Sequence, residues 1–340
     1  MSLYSLIFLG FGNVGQALGR LLLRKRDLLR SDYGIDFTVA GVATGRRGQW
    51  RGAVDLEQAL ELSAGGQPFP SAAALPIPQF LEACADGRTP TVVFESIPVN
   101  YESGQPAVEY LRAALQRGMY AISANKGPVV HAYRELTHLA QAHGVKYYFE
   151  SAVMDGAPIF SLARETLPAA RIHGFHGILN STTNLILDRM AQGESFENAV
   201  SYAQSIGIAE TDPLGDLEGW DAAVKVAALC TVIMDTPLKP QQVQRRGILE
   251  LTPQDMLEAQ RLGKRWKLVC AAHRQGESVQ ANVAPQMVGP ESPLYGVSGT
   301  SSVVTFETDV LPGLSIVETD PGPQTTAYGM LADFLNAVRK

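Results

Sequence analysis

The chain has 340 residues, 46% of them hydrophobic, enough to bury a sizeable core and to divide into two domains. Its 28 Lys and Arg against 34 Asp and Glu leave a net charge of −6, which gives no electrostatic footprint for nucleic acid or an anionic membrane surface. Cys84, Cys230 and Cys270 are scattered and form no CxxC pair, the start lacks a cleavable leader pattern, and no apolar run reaches the ~20 residues that span a bilayer; a cytoplasmic protein with neither a structural zinc site nor a disulfide framework is expected.

Leu6-Ile7-Phe8-Leu9 is a continuous apolar run, as in a parallel strand buried on both faces. It leads directly into Gly10-Phe11-Gly12-Asn13-Val14-Gly15, a GxGxxG, and then into a helix whose apolar face carries Val14, Ala17, Leu18, Leu21 and Leu22. Strand, motif and helix in this order give each glycine a task. Gly10 permits a tight turn, Gly12 admits a pyrophosphate close to the backbone, and Gly15 lets helix and strand approach. The helix N-terminus then favours the phosphate charge.

The second strand, Phe37–Ala43, lies further from the glycines than the usual ~20 residues, so the helix is expected to extend through Lys25 to Tyr33. No acid closes this strand to accept from a ribose 2′-hydroxyl. Instead Thr44-Gly45-Arg46-Arg47-Gly48 follows, and guanidinium groups bind a 2′-phosphate bidentately. NADP(H) is therefore the expected preference, with NAD(H) possible, Thr44 nearby and Arg46 or Arg47 as the clamp. Thr91–Phe94 and Met119–Ile122 read as further strands, separated by a helix over Pro106–Arg117. They end at Ser96 and Lys126, where ligands of such sheets bind.

Val145–Glu150 reads as a strand entering the turn-rich Ser151–Pro158. Beyond it, strands are expected at Ile172–Ile178, Trp266–Ala272, Val279–Ala284, Ser302–Thr308 and Leu314–Glu318, with helices at Thr183–Ala191, Phe196–Ser205, Trp220–Met234 and Gln254–Gly263. Thr252-Pro253-Gln254-Asp255 supplies a cap, a proline at the first helical position and an early acid. A last helix over Gln324–Lys340 follows Pro321-Gly322-Pro323 and returns the chain to the nucleotide domain. The fold class is α/β: a Rossmann-type doubly wound domain over 1–135, completed by a helix within 320–340, and an α+β domain with a mixed sheet over 136–319.

Two segments of the second domain carry polar chemistry. Gly177–Asn184 ends a strand with small polar residues, among them Asn180 and Thr182, suited either to capping a helix or to presenting amide and hydroxyl groups to a zwitterionic substrate. Asp221 and Lys225 share one helix face in an apolar segment, preceded by Glu210, Asp212, Asp216 and Glu218. A buried carboxylate and ammonium suit proton transfer, and equally a helix-stabilising ion pair. The six histidines stand at no metal-site spacing and read as structural.

Taken together, GFGNVG, SANKGP around Lys126, ESAVMDGAP from Glu150, GILNSTTNLIL from Gly177, GIAETDPLGDLEGWDAAVK from Gly207 and PGPQTTAYGMLADFL resemble the homoserine dehydrogenase family across essentially the whole chain. That resemblance implies NAD(P)H-dependent, reversible reduction of L-aspartate 4-semialdehyde to L-homoserine, a step toward threonine, methionine and isoleucine. It implies Lys225 as the general acid/base with Asp221 as its substrate-binding partner, Glu210 as a substrate contact, and Lys126 between nicotinamide and substrate. Gly207 and Gly322 match backbone contacts to substrate and cofactor. It further implies a monovalent cation, sodium or potassium, on largely backbone oxygens of Glu150, Val153, Asp155 and Ala157, and a homodimer formed through the second domain's sheet. Ser181 replaces the family's usual glycine in that turn, and the chain ends too soon after its last helix for an ACT-type regulatory domain to be expected. A phosphorylating semialdehyde dehydrogenase would need a presented cysteine, and none of the three stands where one is expected. A different amino-acid dehydrogenase or a non-catalytic NADP(H) sensor would share the same nucleotide-binding pattern; retention of both Lys126 and Lys225 weighs against the sensor.

Overall fold

The computed structural model describes residues 1–70 and 73–339. The chain divides into two compact units, Met1–Pro158 with Gly322–Lys340, and Ile159–Pro321. In chain order the first unit contains β1 (Ser2–Leu9), α1 (Asn13–Tyr33), β2 (Ile35–Thr44), β3 (Gly48–Arg51), α2 (Leu56–Ala64), α3 (Ile77–Cys84), β4 (Thr91–Glu95), α4 (Ala107–Leu115), β5 (Tyr120–Ser123), α5 (Lys126–Ala142) and β6 (Tyr147–Tyr148). The second contains β7 (Ile172–Ile178), α6 (Ser181–Ala191), α7 (Phe196–Ser205), α8 (Leu214–Leu217), α9 (Trp220–Val232), β8 (Gln244–Arg245), α10 (Pro253–Arg261), β9 (Arg265–Gln275), β10 (Ser278–Val288), β11 (Ser302–Thr308) and β12 (Leu314–Glu318). Finally α11 (Pro323–Val338) rejoins the first unit; Lys340, the expected end of that helix, lies outside the described residues.

The first sheet has the order β3-β2-β1-β4-β5-β6, parallel except for the antiparallel β2–β3 hairpin. Alternation along β1 feeds two cores. Leu6 and Phe8 pack with Leu18 and Leu22 of α1 and with Met330 and Phe334 of α11, whereas Ile7 and Leu9 pack with Phe80 of α3 and Ala114 of α4. Helices therefore cover both faces, the doubly wound arrangement. Helix α1 runs to Tyr33 as its long register requires and stops at Gly34, whose φ of +63° is the left-handed cap.

Three differences from the sequence reading have physical causes. The first unit continues past residue 135 because β6 hydrogen-bonds in parallel to β5 at Ala121↔Tyr147 and Ile122↔Tyr148. That strand keeps only two residues, since Phe149 leaves it and Glu150–Ala152 wind into a 3-10 turn. Helix α5 has no counterpart among the expected elements: Gly127 and Pro128 look like breakers, but they occupy its first turn, where a missing N–H costs nothing.

The second sheet is also mixed, ordered β12-β11-β7-β9-β10-β8, with only β8–β10 parallel. Helices α6 and α9 cover one face, where Cys270 and Val283 are fully buried. The register brings His176, Ala271, Asn282 and Ala284 onto the other face at half-buried positions, along with the exposed Val317. No helix among the described residues is long and apolar enough to cross a membrane.

Candidate active site

Two sets of functional side chains stand in the two units. In the first, the loop after β1 behaves as its glycines demand. Gly10 has φ +95°, and a Cβ there would lie 2.6 Å from the Ser96 carbonyl oxygen. A Cβ at Gly15 would lie 2.7 Å from the Gly10 carbonyl oxygen, so helix and turn touch only because Gly15 lacks a side chain. Gly12, the N-cap of α1, has nothing within 4 Å of its would-be Cβ. Phe11 is buried in the core, Asn13 is exposed and Val14 is half-buried. The outcome is an open patch of backbone at a helix N-terminus, a cradle that a diphosphate fits.

Around this loop lie the neighbouring strand ends. Ser96 follows β4, with its N–H on the Leu9 carbonyl at 2.9 Å and its hydroxyl 3.4 Å from the Gly10 carbonyl. Lys126 opens α5 behind its cap Asn125, and its Nζ lies 5.9 Å from the Tyr101 ring centroid. The two arginines part company. Arg47 folds back, donating to the Ser63 carbonyl at 3.1 Å, while Arg46 is exposed at the tip of the β2–β3 turn. Thr44 holds that turn through its Oγ1, accepting from Arg47 N at 2.8 Å. Gly322 caps α11, with its N–H on Thr325 Oγ1 at 2.8 Å.

The segment carrying Glu150, Val153, Asp155 and Ala157 wraps against α11. The Glu150 N–H donates to the buried Asp333 at 2.6 Å, Ser151 Oγ to the Thr326 carbonyl at 2.8 Å, and Thr326 Oγ1 to Asp155 at 2.5 Å. Asp155 takes φ +39°. Glu150, Val153 and Ala157 are buried and Asp155 half-buried. Among the described residues no group of three His, Cys, Asp or Glu side chains could hold a metal ion.

In the second unit, α9 is apolar almost throughout, and its few polar positions stand out. Gly219 (φ +80°) turns the chain into it, Arg245 lies 3.9 Å over the Trp220 ring, and the same guanidinium donates to the Glu218 carbonyl. One turn in, Lys225 Nζ lies 3.3 Å from Asp221 Oδ2 and donates to the Leu179 carbonyl at 2.6 Å. Their side chains are 16% and 10% exposed, so the pair is mostly shielded yet reachable.

Asn180 does two jobs at once. Its Oδ1 accepts from the Thr183 N–H at 2.8 Å and caps α6, an assignment only an oxygen can satisfy. Its Nδ2 must then point the other way, where it donates to Asp216 at 2.7 Å and Asp221 at 3.0 Å. The capping reading of this turn therefore holds, and both amide protons of the same side chain are taken by the two carboxylates. Thr182 Oγ1 donates to the Ile208 carbonyl at 3.3 Å, tying the turn to the segment with Gly207 (φ +75°) and Glu210. The Glu210 carboxylate is exposed and makes no hydrogen bond or ion pair among the described residues. Ser181 takes an ordinary helical position, its hydroxyl 3.4 Å from that of Ser302.

Asp216 was not among the expected site residues. Burial raises its pKa, the neighbouring Asp221 raises it further, and the Asn180 and Thr182 hydrogen bonds and Lys225 pull the other way. Its only sequence signal was membership of the acidic run before α9. Burial pushes Cys84 up to about 11 and Cys230 and Cys270 up to about 12, so none is a ready thiolate.

A doubly wound unit with a dinucleotide cradle, together with a second unit bearing a shielded lysine among carboxylates, defines the chain as a two-domain NAD(P)-dependent oxidoreductase. Comparison with known proteins narrows this. The homoserine dehydrogenase NAD-binding domain family matches residues 10–150, and the homoserine dehydrogenase family matches residues 158–335. The chain is 32% identical over 339 residues to the NAD(+)-dependent homoserine dehydrogenase of Pseudomonas canavaninivorans, covering 99% of this chain and 96% of that one. It is 34% identical to the homoserine dehydrogenase of Methanocaldococcus jannaschii, covering 97% of each. Among solved structures, a homoserine dehydrogenase from Thiobacillus denitrificans is 30% identical with a TM-score of 0.84, covering all of this chain and 74% of that one. A hyperthermophilic archaeal homoserine dehydrogenase in complex with NADPH is 27% identical, also with a TM-score of 0.84, over 99% of this chain and 98% of that one. The chain belongs to the homoserine dehydrogenase family.

Proposed function

We infer that the chain works as a homoserine dehydrogenase, interconverting L-aspartate 4-semialdehyde and L-homoserine with a nicotinamide cofactor. The observation that carries the reading is the Lys225–Asp221–Asn180–Asp216 cluster: a shielded ammonium beside two carboxylates, in a chain of this family. When bound, the reduced cofactor supplies the hydride. The protein's part is the proton and the orientation. Negative charge grows on the aldehyde oxygen during reduction, and Lys225 stabilises it and donates the proton that completes the alcohol. Asp221 and Glu210 hold the substrate's ammonium group, Asn180 and Thr182 line the same pocket, and the Gly207 backbone contacts substrate. Fixed in this way, the aldehyde reacts from one pose.

Gly10, Phe11, Gly12, Asn13, Val14 and Gly15 hold the diphosphate, Ser96 and Lys126 lie toward the nicotinamide, and Gly322 contacts the cofactor through its backbone. NADP(H) is the preferred form. Support comes from Arg46, exposed on the turn that in NAD-selective sites carries an acid, while Arg47 is already engaged by a carbonyl. Arg46→Ala is expected to raise KM for NADPH at least tenfold and leave KM for NADH within twofold. Steady-state kinetics with both cofactors check this, and a wild type that favours NADH would refute it.

A monovalent cation, sodium or potassium, sits on Glu150, Val153, Asp155 and Ala157, whose hard oxygen donors suit it. The working form is a cytoplasmic homodimer in threonine, methionine and isoleucine biosynthesis. Supporting the dimer is the sheet face turned away from α6 and α9: Leu294 and Val297 pack over Ile178, Val269 and Val303, while His176, Ala271, Asn282 and Ala284 stay half-buried, Val317 is exposed and His176 lies 3.3 Å from Glu307. The deciding experiment is NADPH oxidation with aspartate semialdehyde, run in sodium, potassium and a bulky organic cation. Turnover that falls in the organic cation is expected, and no oxidation at all would overturn the reading. Light scattering on that preparation should give twice the 36.6 kDa chain mass; a monomer mass would exclude the dimer.

A further inference from the structure

The strand end that carries Ser96 also carries a charged group to which nothing has yet been assigned. Glu95 closes β4 and is fully buried, its side chain directed among the loops that follow the sheet. Its Oε1 accepts from the Ile97 N–H at 2.9 Å and from Asn125 Nδ2 at 3.3 Å, and its Oε2 accepts from Ser123 Oγ at 2.5 Å. The network continues outward. Ser123 Oγ accepts from the Asn125 N–H at 3.0 Å, and Asn125 Oδ1 caps α5 through the Gly127 N–H at 2.9 Å.

We propose that Glu95 is a positioning residue for the cofactor: its carboxylate ties the turn after β4 to the turn after β5, and so fixes Ser96 and Lys126. The geometry leaves little slack. Ser96 is held between Glu95 and Ile97, and its carbonyl oxygen occupies the space a Cβ on Gly10 would need. A shift of Ser96 therefore moves the wall of the glycine loop. Lys126 follows Asn125 directly, so the cap that Glu95 steadies sets where α5 begins.

A carboxylate suits this place better than an apolar side chain because three donors converge on it, the Ser123 hydroxyl and Asn125 amide among them buried. No cation within 4 Å neutralises it among the described residues, so its charge is carried by hydrogen bonds alone. Such an arrangement is costly for mere packing, since a leucine of similar volume would avoid burying a charge altogether. Burial pushes its pKa up to about 7, the Ser123, Ile97 and Asn125 donors opposing that rise. The donors thus favour the charged form, while burial in this strand end disfavours it.

The proposal rests on the cofactor assignment above but is tested by binding, which needs no turnover. NADPH fluorescence titration and kinetics would be run on the full chain carrying Glu95→Leu, Glu95→Gln or Ser123→Ala. Glu95→Leu is expected to weaken NADPH binding about tenfold or more while KM for aspartate semialdehyde stays within twofold. Glu95→Gln keeps the acceptor for Ile97 and is expected to recover most of the affinity. NADPH affinity within twofold of wild type in a folded Glu95→Leu protein would overturn the proposal. So would equal losses for cofactor and semialdehyde with no rescue by glutamine. Should the leucine variant fail to fold, Ser123→Ala decides: about threefold weaker NADPH binding upholds the role, and unchanged binding refutes it. Intact NADPH effects without any semialdehyde turnover would leave this role standing and defeat the substrate assignment instead.

Discussion

Lys225→Ala is expected to cut turnover with aspartate semialdehyde ~100- to 10,000-fold, the range a positioned general acid contributes. NADPH binding, measured by fluorescence titration, should stay within about twofold, because the glycine loop belongs to the other structural unit. The substitution removes the donor that the Leu179 carbonyl uses at 2.6 Å and the cation 3.3 Å from Asp221, so some loss of stability accompanies it. Partial exposure keeps that cost modest, since water can enter the vacated space and solvate both oxygens. A folding role would show differently. It would lower the melting temperature sharply and degrade cofactor binding and turnover together. Lys225→Arg is the informative companion: it retains the positive charge, but its planar guanidinium cannot give up a proton near neutral pH. Turnover near the wild-type level with arginine would remove the proton-donor role and leave only charge stabilisation.

What could be read from the sequence was local. The glycine loop is legible because much of its demand is local: Gly10 takes φ +95° and Gly15 touches the Gly10 carbonyl oxygen five residues back, although the Ser96 carbonyl that crowds Gly10 arrives from β4. The pairing of Asp221 with Lys225 is legible for the same reason, as i,i+4 geometry is fixed by the helix. Arg46 and Arg47 were not separable, because adjacent residues on a turn differ only in which way they face; the hydrogen bond to Ser63 that engages Arg47 spans 16 positions. Asn180 reads as a cap or a presenter; the cap is local, whereas the approach of Asp216 and Asp221, 36 and 41 positions later, which takes up its amide protons, is not. Glu95 likewise looks like an acid ending a strand until β5 delivers Ser123 and Asn125 beside it. Helix α5 escaped because Gly-Pro signals a break in the interior of a helix but is tolerated at its start.

Lys267→Ala is expected to destabilise the second unit by about 3 kcal/mol, toward the low end of what breaking a buried ion pair costs. In sequence this lysine is an oddity inside an apolar strand. In the fold its side chain has no exposed surface, and its three protons go to Asp188 Oδ1 at 2.7 Å, Asn184 Oδ1 at 2.8 Å and the Val297 carbonyl at 2.7 Å. Burial lowers its pKa and the Asp188 carboxylate opposes that shift. Alanine would leave three acceptors without a donor, one of them charged. Asp188 is 15% exposed and keeps the Gly299 N–H at 2.7 Å, which holds the loss near the lower bound. Lys267→Met with Asp188→Leu should recover much of the stability, because the apolar pair leaves no buried charge to compensate. The measurement is denaturant unfolding followed by tryptophan fluorescence, and the chain helps: Trp220 and Trp266 lie in the second unit and Trp50 in the first. A loss under about 1 kcal/mol for Lys267→Ala would mean the lysine is not the tie it resembles. The functional consequence runs along α6. Asn184 and Asp188 anchor that helix to Lys267, and its cap, Asn180, aims at Asp216 and Asp221. Loosening the anchor should therefore lower the temperature at which turnover fails in parallel with unfolding of the second unit, while NADPH binding by the first unit persists to higher temperature.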